Sequence, residues 1–325
     1  MSAPRYLHVA NGTSVTMTLE AAGVPGIMSI WADPLHDGPV PAGLTDDELR
    51  ELRWGHLGGA AVVDPVNDMR RWRRVIAAHD EYDELVLWFE HDLFDQLNLI
   101  QLLTWIRAHV PPAKPVALIC IGSFPGRPNF HGLGELTAAE LAPLLESRRT
   151  VTDREYTLAE RAWSAFREPT PEALDDLRRS DTTAMPFLAA AIERLLEEYP
   201  WTRDGLSRTE RRLLQIADTG PVAMNSVFPR MHEDERAYYV ADLELKSLIE
   251  TLSRTSPPLV SFAGGETDRN FWRGKVALTD AGREVLAARG DRVACGLDKW
   301  LGGVHLQSGA EMWRWDDDRG SVVRT

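Results

Sequence analysis

The chain has 325 residues, 44% hydrophobic and 26% charged, and its 36 Lys and Arg against 49 Asp and Glu give a formal net charge of −13. This composition excludes a disordered chain, and the acidic excess disfavours broad affinity for nucleic acid or anionic lipid, which clustered cations normally carry. The longest apolar runs fall far short of the ~20 residues of a membrane helix, the N-terminus shows no charged-then-apolar signal pattern, and two cysteines make no disulfide framework; a soluble, cytoplasmic protein without membrane contact is expected.

In chain order, Arg5–Asn11 is a short apolar strand ended by Gly12, and Thr13–Ala22 reads as a helix stopped by Gly23 and Pro25. Ile27–Asp33 is a second strand, followed by the turn-rich Pro34–Gly43. Thr45 with Glu48 matches a capping box and predicts a helix through about His56. Asp64-Pro65 opens another, with Met69, Trp72, Val75 and Ile76 at helical spacing; its Arg70-Arg71-Trp72-Arg73-Arg74 run reads as a solvated surface with Trp72 inward. Glu84–Glu90 is a third strand, Leu93–Val110 a long apolar helix and Pro115–Ile121 a fourth strand. Nearly all-apolar strands separated by helices predict an α/β, Rossmann-like parallel sheet of at least four strands, covered on both faces.

Ser123–Gly134 is a Gly- and Pro-rich loop too long for a simple connector, and Thr137–Glu198 reads as all-helical. From Gly205 three helices (Arg211–Asp218, Met224–His232, Asp234–Ser253), two strands (Pro258–Phe262, Lys275–Thr279) and a closing helix follow the order of a winged helix-turn-helix. The predicted organisation is therefore an α/β Rossmann-like domain at 1–135, a helical segment at 136–204, a winged-helix-like domain at 205–292 and a tail at 293–325 that packs back on the rest. The winged-helix stretch carries thirteen basic and thirteen acidic residues. It is read as a scaffold or protein-contact module and not as a DNA reader; Arg269, Arg273 and Lys275 in the wing keep the alternative of nucleic-acid binding open.

Polar residues gather after the strands, at the carboxyl edge where open parallel sheets bind ligands at a reversal of strand order. A strand order of 2-1-3-4 predicts Asn11 and Ser14 opposite Glu90, Asp92 and Asp95. Asn11-Gly12-Thr13-Ser14 reads either as a helix cap or as a holder of an anion or carbonyl. Three carboxylates in Glu90-His91-Asp92 and Asp95 exceed what one cap needs and suit an acid/base pair or a cation site. No HExxH, CxxC, GxSxG or P-loop spacing is present, so no metal ligand and no cofactor is assigned. His8 is expected to be a hydrogen-bonded core histidine.

These motifs, His8-x-x-Asn11-Gly12, Asp33-Pro34-Leu35-His36-x-Gly38-Pro39 and Trp88-Phe89-Glu90-x-Asp92-x-x-Asp95-Gln96, resemble an uncharacterised bacterial family, a domain of unknown function. The resemblance covers Arg5–Ile121. Leu158–Gly205, with Trp163 and Pro186-Phe187-Leu188, is similar to the segment that accompanies that domain. Relatives have Asp where this chain has Thr13, so no acid role carries over there. The resemblance implies a shared site and no reaction. The resulting expectation is an enzyme, a hydrolase or transferase, acting on a small polar metabolite of nucleotide or sugar type. Glu90 and Asp92 form the acid/base pair with His36 as auxiliary base, and Asn11, Thr13, Ser14, Asp33, Asp37 and Asp95 bind or orient the substrate. The alternative is a ligand-sensing regulator whose winged helix contacts DNA or a protein.

Overall fold

The computed structural model describes residues 4–58, 69–264 and 271–325. The predicted helix start at Asp64-Pro65 and the wing residue Arg269 lie outside them.

Strands β1 (Tyr6–Ala10), β2 (Ile27–Ile30), β4 (Glu84–Glu90) and β5 (Val116–Ile121) form a parallel sheet. Its order is β2-β1-β4-β5, with the short strand β6 (Arg149–Thr150) antiparallel on the edge. The four parallel strands thus take the predicted 2-1-3-4 order, and the reversal falls between β1 and β4. β6 corrects the all-helical reading of 137–198: two exposed residues carry too little pattern to announce a strand.

Alternation along the central strands divides the core. Leu7, Val9, Leu85, Leu87 and Phe89 join one large buried cluster, while Ala10, Val86 and Trp88 join a smaller one on the other face. Helix α1 (Thr13–Ala21) and the 130–145 segment cover the smaller cluster. On the main face lie α2 (Asp46–His56), α3 (Met69–Ala77) and α4 (Leu93–His109). α4 is buried almost all round because α6 (Asp153–Phe166) and α8 (Leu188–Leu196) pack on the side away from the sheet. The Thr45–Glu48 box caps α2 as expected, Thr45 N–H donating to Glu48 Oε2 at 2.8 Å. In α3 the arginine run is not wholly solvated. Arg73 is buried, donates to both oxygens of Asp46 at 2.6 and 2.7 Å, and lies over the Trp31 ring.

The C-terminal third contains α9 (Arg208–Ala217), α10 (Met224–His232), α11 (Asp242–Ser253) and α12 (Asp280–Leu286). With them is an antiparallel sheet in the order β7 (Val222–Ala223), β9 (Lys275–Leu278), β8 (Val260–Ala263). The predicted helix Asp234–Ser253 begins only at Asp242. Asp234 sits at φ 64°, and the Glu235 carboxylate accepts from the Arg236 and Ala237 N–H groups, so local bonding replaces helix over 233–241. The tail forms two hairpins, β10 (Asp298–Gly302) with β11 (Val304–Gln307) and β12 (Trp313–Asp316) with β13 (Ser321–Arg324). β10 pairs in parallel with the two-residue strand β3 (Gly38–Pro39), which ties the tail to the first unit. Among the described residues no helix is long and apolar enough to cross a membrane, and both cysteines are free.

Candidate functional site

β1 and β4 end side by side, and the residues just past their ends meet at the reversal. Asn11, one residue past β1, donates its amide to Glu90 Oε1 at 2.7 Å and to Asp95 Oδ2 at 2.8 Å. Glu90 is the last residue of β4, Asp92 caps α4 by accepting from Asp95 N–H at 2.8 Å, and Asp95 lies in its first turn. The three carboxyls are buried, and one oxygen from each lies within 4.8 Å of the others. Oxygens so spaced can hold a hard cation, a use the sequence reading left open beside acid/base chemistry.

Two segments seal the cluster. From one side, Leu133 N–H donates to Glu90 Oε2, and the chain passes so close at Gly132 that a Cβ there would collide with the Glu90 carboxyl. From the other, the 233–241 segment covers the start of α4, whose Leu93 N–H donates to Ala237 C=O at 2.7 Å. Between Asp92 and this segment is a space of about 10 Å³, room for about one water.

Burial sets the electrostatics. It raises Glu90 from 4.5 to about 7, with help from the Asp92 charge, and Asp92 from 3.8 to about 6, partly offset by its bond with the Asp95 N–H and by His36. Asp95, fully buried beside two other carboxyls, is held well above its ordinary value. Among the described residues its Oδ1 has no donor within reach. A protonated Asp95 supplies its own donor, and Glu90 is the neighbour that accepts.

His36 reaches the cluster's other side. Its ring packs edge-on against Phe94 and Tyr238, and Nε2 pairs with Glu244 of α11, while Nδ1 is buried and has no partner among the described residues. Burial opposes the imidazolium, but Glu244, assisted by Asp37 and Asp92, outweighs it and holds His36 above its ordinary pKa. Tyr238 Oη donates to Glu244 at 3.3 Å.

The structure therefore brings together Asn11, Glu90, Asp92 and Asp95, with His36 beside them. The other predicted site residues stand apart. Asp33 is spent on a buried ion pair, accepting from Arg53 Nη2 at 2.6 Å and Nε at 3.0 Å, and the same guanidinium holds the Pro34 and Asp37 carbonyls. It organises the turn and is not free to bind a substrate. Asp37 is exposed and pairs with His56 at 3.3 Å. Gly38, at φ 80°, lies against the His56 ring where no side chain fits. Thr13 and Ser14 are exposed in the first turn of α1, with Ser14 beside Gly134. No side chain caps α1, so the Asn11–Ser14 turn is not a cap by side chain and Asn11 serves the carboxyls instead. His8 is the expected core histidine: Trp88 Nε1 donates to Nδ1 at 3.0 Å, leaving Nε2 to donate to Pro25 C=O at 3.2 Å. Cys120 lies behind Glu90, its thiol pushed up to about 12 by burial and directed at the Glu90 C=O.

Glu244, Tyr238 and the Leu133 N–H escaped the sequence reading. Glu244 carries a signal of another kind, since its carboxylate also accepts from Ala241 N–H at 2.8 Å in the manner of a capping residue. Nothing in the sequence points it at His36, 208 positions away.

Comparison with protein-family models and with curated proteins found no match. The site must be interpreted from its own geometry.

Proposed function

We propose that the chain is an enzyme acting on a small polar metabolite by general acid/base chemistry at the carboxyl edge of the sheet. The observation that carries this reading is the sealed trio of carboxyls, two of them titrating at about 6 and about 7. A group that titrates near the working pH both gives and accepts protons efficiently. Asp92 and Glu90 are the proton-transferring pair, Asn11 fixes the Glu90 and Asp95 carboxyls, and His36, held by Glu244, is the auxiliary base. The cover formed by 233–241 implies that substrate access involves movement of this segment, which also keeps water from the acids between turnovers. The motifs that resemble those of an uncharacterised bacterial family include Asn11, His36, Glu90, Asp92 and Asp95 and lend no reaction of their own.

A metabolite-library thermal-shift screen on wild type and Asp92→Asn tests the reading, Asn being chosen because it also caps a helix. A stabilising hit lost in the variant supports it; equal shifts in both proteins discredit it.

The second reading, a regulator contacting DNA through a winged helix, draws support from the order helix, strand, helix, helix, strand, strand over residues 208–278. Against it, α11, the helix that would read the groove, commits Glu244 to His36 and lines with Ser247 and Thr251 a cavity shared with the 36–38 turn and β10. A gel-shift assay at physiological salt separates the two: sequence-specific binding would make the regulator reading primary.

A further inference from the structure

A cavity of about 860 Å³, lined by His36 but by none of the three clustered carboxyls, opens between the 36–38 turn, α11 and β10. That is the size of a pocket for a metabolite of one or two rings. One wall is a stripe of α11, Glu244, Ser247, Leu248 and Thr251, recurring at helical spacing. The opposite wall brings Asp37, His56, Lys299 and Trp300.

The charges on this wall are already matched. Lys299 faces Glu198 at 3.4 Å, Arg292 pairs with Glu210 at 2.9 Å, and Arg254, largely exposed, meets Glu250 at 3.6 Å. The acids are matched too: Asp37 with His56, Glu244 with His36, and Asp298 with His305 at 2.7 Å. Among the described residues every cation on the wall has an acid partner, so a phosphate or carboxylate would compete with one of these pairs, Arg254 being held only by an exposed one. What the wall offers instead is hydroxyls from Ser247, Thr251 and Ser256, and aromatic surface from Trp300 and Tyr238. Trp300 is held flat by face-to-face stacking on His305, ring centroids 4.4 Å apart. Hydroxyls that give and accept hydrogen bonds beside a rigid aromatic plane suit a ring bearing several hydroxyls.

We propose that this cavity binds an uncharged polyhydroxylated small molecule, a sugar or a nucleoside, between α11 and β10. As the source of substrate for the carboxyl cluster the cavity rests on the acid/base reading; as a binding site it does not.

Isothermal titration calorimetry on the full chain tests it, with methyl glucoside, adenosine and uridine as uncharged probes and glucose 6-phosphate and AMP as charged counterparts. Saturable binding of an uncharged probe is expected, weakened at least about ten-fold by its phosphate. Binding of the glucoside assigns a sugar, and binding of adenosine or uridine a nucleoside. Ser247→Trp and Thr251→Trp fill the cavity from an exposed helix face and are expected to abolish binding while thermal melts stay cooperative. Leu243→Ala, an exposed position on the same helix that does not line the cavity, is expected to bind like wild type. Tighter binding of the phosphorylated probes, binding insensitive to both tryptophans, or no binding of any uncharged probe at millimolar concentration overturns the proposal. Library hits that depend on Asp92 but ignore both tryptophans would sink the cavity and spare the acid/base reading.

Discussion

A buried carboxyl with an oxygen lacking any donor is tolerable when it keeps its proton, and Asp95 is in that position. Its neighbour Glu90 makes the consequence measurable. Because the folded pKa of Glu90 is raised from 4.5 to about 7, the native chain holds a proton that the unfolded chain has already released between those values. Stability from this group is full below the lower value and is lost as pH rises through the upper one. Unfolding free energies from urea titrations across that window are expected to fall less steeply for Glu90→Gln than for wild type, by on the order of 3 kcal/mol in total. Parallel slopes would mean that Glu90 titrates like an exposed glutamate. Asp33 makes a different case. With Arg53 fully buried, Asp33→Ala strands a guanidinium in the core, and a loss of about 3–5 kcal/mol is expected in denaturant unfolding. A loss below about 1 kcal/mol, the range of surface pairs, would return Asp33 to the list of candidate binding residues.

Between elements, the site depends on segments that are neither helix nor strand. The end of β4 is covered by the loop through Gly132 and the start of α4 by 233–241, and each contributes a backbone group to the cluster's surroundings. Gly132→Ala puts a methyl group against the Glu90 carboxyl and is expected to cost about 1–3 kcal/mol, as other overpacked positions do. The penalty should shrink in a Glu90→Ala background, where the colliding group is gone; a double-mutant cycle reads this coupling, and full additivity would place the strain elsewhere. The same scale explains why 234–241 misled the sequence reading. The acids Asp234 and Glu235 resemble a helix's first turn, yet Glu235 bonds the next two N–H groups and Asp234 turns left-handed, so helix starts eight residues late.

Over the whole molecule, the tail is a structural member. Leu297, Leu301, Val304, Leu306, Met312 and Trp315 are all buried, β10 extends β3, and Arg178 of α7 (Glu172–Arg178) lies over the Trp315 ring. At roughly 1.5–3 kcal/mol for each buried apolar side chain, their combined contribution is comparable with the net stability of an ordinary domain. A chain ending at Gly296 is accordingly expected to lose cooperative thermal unfolding, read by circular dichroism or calorimetry. A sharp transition within a few degrees of wild type would show the hairpins to be accessories.

Much of this was legible in the sequence. Apolar runs and capping boxes act within a few residues, so β1, β2, β4 and β5 and the capped start of α2 follow from local pattern, and the usual order of such strands placed Asn11 opposite Glu90 and Asp95. Which acids and bases meet was decided by tertiary structure. Asp33 and His36 belong to one short motif and look equally eligible, yet one is consumed by Arg53 and the other is gripped by Glu244 from the far end of the chain. Spacing along a chain determines which side chains share a face of one element; what those faces press against is fixed by packing among elements hundreds of residues apart, and that packing sealed the carboxyls and opened the cavity beside them.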